Sequence, residues 1–208
     1  MTFGLVKHNN NSISAITTPG SLAQGKMTLI KEQTASSSSS ISFVNGSSSV
    51  VLDSTYPIYV FKFFNIHPAS TAYFQFNLSS DGGSSYDATK TTTSFAAYHQ
   101  EDGGDAALFY STSRDLAQST GVQTLVDYIG NANDECTSGY LFLFDPSSTT
   151  FVKHFYGEFS MTTHHAQCWR HNIGGYCNTT TAIDGVQFSM SSGNIDAGTI
   201  KLYGVSDS

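Results

Sequence analysis

The side chains best suited to chemistry crowd one stretch near the end of the chain: His164, His165, Cys168, His171 and Cys177. Imidazole and thiolate are soft-metal ligands, and a structural zinc takes four of them at compact spacing. Here the order is H-H-x2-C-x2-H-x5-C, without the paired C-x2-C units of zinc folds. His164, His165, Cys168 and His171 are therefore only weak metal candidates, and no metal or cofactor is expected. Cys168 and Cys177 also suit a hairpin turning at Gly174-Gly175, where the thiols would face each other as a disulfide or as two packed thiols. Plain packing or an exposed loop is the preferred reading. Cys136 is a third, odd cysteine, and three cysteines do not make a secreted disulfide framework.

Carboxylates offer less. The loop SSDGGSSYD from Ser79 to Asp87 has only Asp81 and Asp87, and lacks the D-x-D-x-D-G spacing and closing Glu of a calcium loop. A Gly-rich hairpin turn is the simpler reading. Glu101, Asp102 and Asp105 read as a solvated acidic turn. Glu101 and Glu158 are the only candidates for a glycosidase-type acid pair. No G-x-S-x-G elbow, H-E-x-x-H helix or P-loop occurs. Trp169, the single tryptophan, sits beside Arg170 and His171 and close to Tyr176. Aromatic rings with polar neighbours suit a receptor, glycan or partner contact. These four residues form the candidate binding loop, against the alternative of a tryptophan folded under its own loop.

The elements that must position these groups are strands. Phe74, Phe76 and Leu78 alternate with Gln75 and Asn77; Val186, Phe188 and Met190 alternate with Gln187 and Ser189; Ile200 and Leu202 alternate with Lys201 and Tyr203. Period-2 alternation marks half-buried strands. Phe151, Phe155, Phe159 and Met161 share one parity of a long segment. IYVFKFFNI (58–66) and YLFLF (140–144) are nearly continuous apolar runs and predict central strands covered on both faces. Turn clusters such as Asn45-Gly46, Asp81-Gly82-Gly83 and Ser191-Ser192-Gly193-Asn194 separate the runs. Ser113 to Gly130 is the one stretch that predicts a short helix. Residues 1–27 read as an extended arm with little core, and Thr28 to Glu32 as the lead into a first strand.

Composition agrees. Only 12% of the 208 residues are charged, the net charge is −7, and there are 15 Phe and 11 Tyr. Ser and Thr number 31 and 23 and take over the polar role. Nine dispersed basic residues supply no basic face, which excludes a nucleic-acid partner. No apolar run approaches the ~18 residues of a membrane span, and the first residues lack signal-peptide character. About ten strands with little helix close as a sandwich or barrel. The expected fold is all-β, a jelly-roll-like antiparallel β-sandwich over residues 31–208 with an N-terminal arm over 1–30.

Five strings carry a family resemblance: DSTYPIYVFKFFNIH (53–67), FNLSSDGGSSYD (76–87), DLAQSTGV (115–122), FDPSSTTFVKHF (144–155) and GYCNTTTAIDGVQFSMSSGNIDAGTIKLYGV (175–205). The chain resembles a family of virion structural proteins of marine tailed bacteriophages, whose members end in a GTIKLYG-like strand after the phrase SSGNIDAG. The resemblance runs from about Thr28 to Val205, and its motifs are turns and core strands. It implies a non-enzymatic structural protein on the particle surface, as a head decoration or a fibre or appendage module. Its arm would dock on capsid or tail proteins. Sparse charge and many aromatics fit a homo-oligomer, with a trimer expected. The alternatives are a carbohydrate-binding tail adhesin that contacts host surface glycans through the Trp169 loop and, more distantly, a glycan depolymerase. Met161 to Tyr176 departs most from the family pattern and is expected to be a variable loop.

Overall fold

The computed structural model describes residues 27–206, so most of the expected arm lies outside the described residues. Twelve strands follow in order: β1 (Met27–Thr34), β2 (Ser40–Val44), β3 (Ile58–Pro68), β4 (Ala72–Ser79), β5 (Lys90–Gln100), β6 (Ala106–Tyr110), β7 (Gln123–Ile129), β8 (Thr137–Phe144), β9 (Lys153–Thr163), β10 (Gln167–Cys177), β11 (Gly185–Met190) and β12 (Ile195–Val205). All pairings are antiparallel. The expected all-β antiparallel fold is what forms.

The strands make two unequal layers. The larger runs β1-β12-β3-β8-β9-β10-β5-β6 and the smaller β7-β4-β11-β2. They join at one corner through the single pair Ile129↔Thr163. Alternation decides which side chains go between the layers, because successive residues of a strand point to opposite faces. Tyr59, Phe61, Phe63, Leu141, Leu143, Phe155, Phe159, Ile200 and Leu202 come from the larger layer, and Phe43, Phe74, Phe76, Val186 and Phe188 from the smaller. Phe188 is the hub. Its ring centroid lies 5.0 Å from Phe63, 5.2 Å from Phe61 and 5.8 Å from Phe74, the first two edge-on and the third stacked.

Phenylalanine rings this large need gaps in the facing strands. Gly139 supplies one beneath Phe159: a Cβ there would lie 2.3 Å from the Glu158 carbonyl and 2.7 Å from the Phe159 ring.

Four local expectations are corrected. Ser113 to Gly130 is not helical. It forms turns and then β7, where Leu125, Val126 and Ile129 are all buried. Gly121 and the β-branched residues after it favour an extended chain once a sheet edge is available. The segment Met161 to Tyr176 is not a loop: its turn lies at 164–166, and β10 pairs along its full length with β5 and β9. Gly174 and Gly175 are mid-strand, so Cys168 and Cys177 lie on one strand, roughly 30 Å apart at ~3.3 Å per residue. That is far beyond disulfide reach, and all three cysteines are free. The run 140–144 in β8 is central in its sheet but is covered on one face only: Leu141 and Leu143 are buried, whereas Tyr140, Phe142 and Phe144 are half-exposed.

Candidate functional site

The four residues expected to form one binding loop are divided by strand alternation. Trp169 and His171 point into the sandwich, and Arg170 and Tyr176 point outward. On the inner side Trp169 stacks between Tyr98 (5.2 Å, 18°) and His171 (5.3 Å, 15°), with Phe109 edge-on at 5.5 Å. Its Nε1 donates to Gln167 Oε1 at 2.8 Å. Register explains the stack, since Trp169 is directly opposite Tyr98 and His171 is two residues along the same face. The ring is partly buried against the core rather than presented to solvent.

His171 is buried, and its Nε2 has no hydrogen-bond partner among the described residues. Burial, and secondarily the Arg114 guanidinium, pushes its pKa down to about 4. Arg114 donates from Nε to Asp127 Oδ1 at 2.6 Å and lies 4.4 Å from the centre of the Tyr73 ring. Burial raises the Asp127 carboxyl while Arg114 holds it down, and the net direction is upward. Such a group orders the corner where the layers meet.

On the outer side Glu158 is fully engaged. It accepts from Arg170 and, at 2.8 Å, from the Tyr140 hydroxyl. Ser138, Tyr140, Glu158, Ser160 and Arg170 surround a shallow dent of about 230 Å³. Glu101 lies in a different place, with Asp102 and His165 around an open depression at the turns after β5 and β9. The two glutamates thus do not converge on one site. His164 and His165 stand ring against ring, 3.7 Å apart, at the exposed 164–166 turn, whereas Cys168 and His171 lie further along β10 on opposite faces. Among the described residues no group of three His, Cys, Asp or Glu could hold a metal ion.

The 79–87 loop is held by its own side chains and by a contact to Asp184. The Ser85 hydroxyl and amide and the Ser79 hydroxyl donate to Asp81 and lower its pKa to about 2. Its Gly82 amide reaches the Asp184 carboxylate at 3.0 Å. Cys177 lies between Lys90 and Lys153 in the β5–β10–β9 register, and its burial pushes the thiol up to about 11. Lys90 is fully buried, and desolvation lowers it to about 8.

The surface feature of consequence includes residues of the YLFLF run, which predicts burial on both faces. On the outer face of the larger layer, Phe142 stacks on Tyr156 across strands (4.9 Å, 16°) and lies parallel to Phe144 along its own strand (6.2 Å, 14°). Tyr156 is 45% exposed, and on the same face of β9 His154 lies with its ring 6.0 Å from that of Tyr176 on β10. Across the sheet, Phe95, Leu108 and Tyr110 are also exposed. The signal for these residues was the parity opposite to Leu141, Phe155 and Phe159, hidden in YLFLF because both parities are apolar. No family model, curated protein or solved structure matches this chain.

Proposed function

We propose that this chain is a non-enzymatic structural protein of a tailed-phage particle. Its sandwich is displayed on the outside as a head decoration or a fibre or appendage module, and residues 1–30 dock it to capsid or tail proteins. The observation that carries this reading is the half-exposed aromatic sheet face around Phe142, Phe144 and Tyr156. Contiguous apolar surface of this kind marks an interface. The titratable groups that could serve catalysis are meanwhile tied up in pairs or separated. The family resemblance along 28–205 supports the same reading. Immunogold labelling of intact particles of the encoding phage tests it: gold on the head lattice or tail is expected, and unlabelled particles overturn it.

A second reading, recognition of host glycans, moves from Trp169 to the outer face. Tyr156, Tyr176 and His154 there combine ring faces with polar tips. Loss of cell adsorption in Tyr156→Ala is the expected result, and unchanged adsorption removes it.

A further inference from the structure

Sheet edges are points of assembly, because a terminal strand leaves a row of backbone groups unpaired. The outer edges of this fold are treated differently. β1 carries Lys31 and Glu32 and an irregularity between Leu29 and Lys31. On β2 the Ser42 carbonyl accepts the Gln33 side-chain amide at 2.8 Å. β6, with the sequence AALFY, has no charge, no proline and no bulge, and among the described residues it pairs only with β5. Leu108 is 74% exposed and Tyr110 51%.

The ladder fixes which backbone groups of β6 are free. Gln100 N–H donates to Asp105 C=O, and Ser111 N–H to Ser94 C=O. Bonded pairs recur every second residue in an antiparallel ladder, so Ala107 and Phe109 are the residues bonded to β5. Ala106, Leu108 and Tyr110 therefore turn their backbone groups away from the sheet. Of their N–H groups, only that of Ala106 has a partner among the described residues, the Asp105 carboxylate at 2.9 Å.

The geometry points to a second copy of this chain as the occupant of the edge, paired antiparallel about a two-fold axis at Leu108. In that register every outward-facing residue meets another outward-facing one. The two Leu108 residues exchange a pair of backbone hydrogen bonds, and Tyr110 N–H of each copy donates to Ala106 C=O of the other. Side-chain sizes match on both faces: Ala106 lies opposite Tyr110 on the outer face, Ala107 opposite Phe109 on the inner, and Leu108 opposite itself. Small-against-large pairing lets rings fill the space above alanines, and an isologous contact requires such self-complementarity. Charge does not oppose it. The strand has none, and the flanking Asp105 falls opposite Ser111 rather than another carboxylate. The outer faces of the two larger layers then join into one continuous sheet, and Phe95, Leu108 and Tyr110 of both copies form a single apolar patch across the seam. This pairing is independent of where the protein sits in biology, because it is a solution property that particle labelling does not measure.

Sedimentation of the full chain, wild type and Leu108→Pro, tests it. Proline removes the one N–H at the axis, which faces away from β5, and edge strands tolerate proline. A dimeric wild type and a monomeric Leu108→Pro with unchanged circular dichroism are expected, with Leu108→Ala retaining a weaker dimer. A monomeric or trimeric wild type overturns the proposal, as does a Leu108→Pro variant that stays dimeric. If the proline variant does not fold, amide exchange of wild type decides. Slow exchange at Leu108 and Tyr110 that becomes fast on dilution supports the pairing, and fast exchange at all concentrations overturns it.

Discussion

His171 shows how a single side chain acquires its properties from its surroundings. With a pKa near 4 against an ordinary 6.5, it stays neutral in the folded chain while the unfolded chain binds a proton. The unfolded state then holds more protons between those values, so stability is lost as pH falls from about 6.5 to about 4. The loss attributable to this residue is roughly 3 kcal/mol. His171→Phe, which keeps the stack on Trp169, is expected to flatten that part of the profile in denaturant titrations at pH 7 and pH 4.5. Arg114 is a second such case. Arg114→Ala strands the buried Asp127 carboxylate and is expected to cost about 3 kcal/mol in chemical denaturation, with Asp127→Asn in the same chain recovering part of it. The cysteines differ by exposure. Maleimide labelling of the native protein is expected to modify Cys168 quickly and to reach Cys177 only on unfolding, because burial withholds its thiolate.

At the scale of the element, β10 and β8 carry the lesson. β10 lies in the segment expected to be a variable loop because it departs most from the family pattern, and TTHHAQCWRHNIGGYC has no clean alternation of apolar and polar residues to mark it as a strand. Polar and glycine residues are tolerated there because the strand is hydrogen-bonded on both edges, by β5 and β9, and draws order from pairing rather than from its own propensity. In β8 the difficulty was the reverse: an all-apolar run conceals which parity is inside. The facing strand resolves it, since Gly139 and Leu141 lie opposite Phe159 and Gly157 on the core side. Gly139→Val is expected to destabilise by about 3 kcal/mol, because its side chain has no space between the Glu158 carbonyl and Phe159. Thermal unfolding measures this, and an unchanged midpoint would show that the strands can separate at no cost.

For the whole molecule, stability concentrates where the layers meet. Phe188→Ala removes the ring on which Phe43, Phe61, Phe63, Phe74 and Phe76 converge and is expected to cost about 4 kcal/mol in denaturant melts. Tyr156→Lys lies on the outer face of the larger layer, where surface changes usually stay within about 0.5 kcal/mol. Its stability is expected to be unaffected while its incorporation into particles falls, as read by quantitative blotting of purified particles. A variant that assembles normally would remove the outer face from the interface.

The sequence by itself determined the all-β class, the turns at Asn45-Gly46, Asp81-Gly82-Gly83 and Ser191 to Asn194, and the core parities of β4, β9, β11 and β12, because alternation and Gly, Asn or Asp clusters act within a few residues. Phe74, Phe76, Phe188, Ile200 and Leu202 were legible for that reason. Their burial is the physical meaning of the pattern. Only the tertiary structure decided which strand lies beside which. That choice split Trp169 and His171 from Arg170 and Tyr176, separated Cys168 from Cys177, and turned Phe142 and Phe144 outward. It also left β6 at an open edge. Each of these outcomes depends on partners distant in sequence, as Trp169 on Tyr98 and Tyr140 on Glu158, and no local pattern encodes the strand order that brings such partners together.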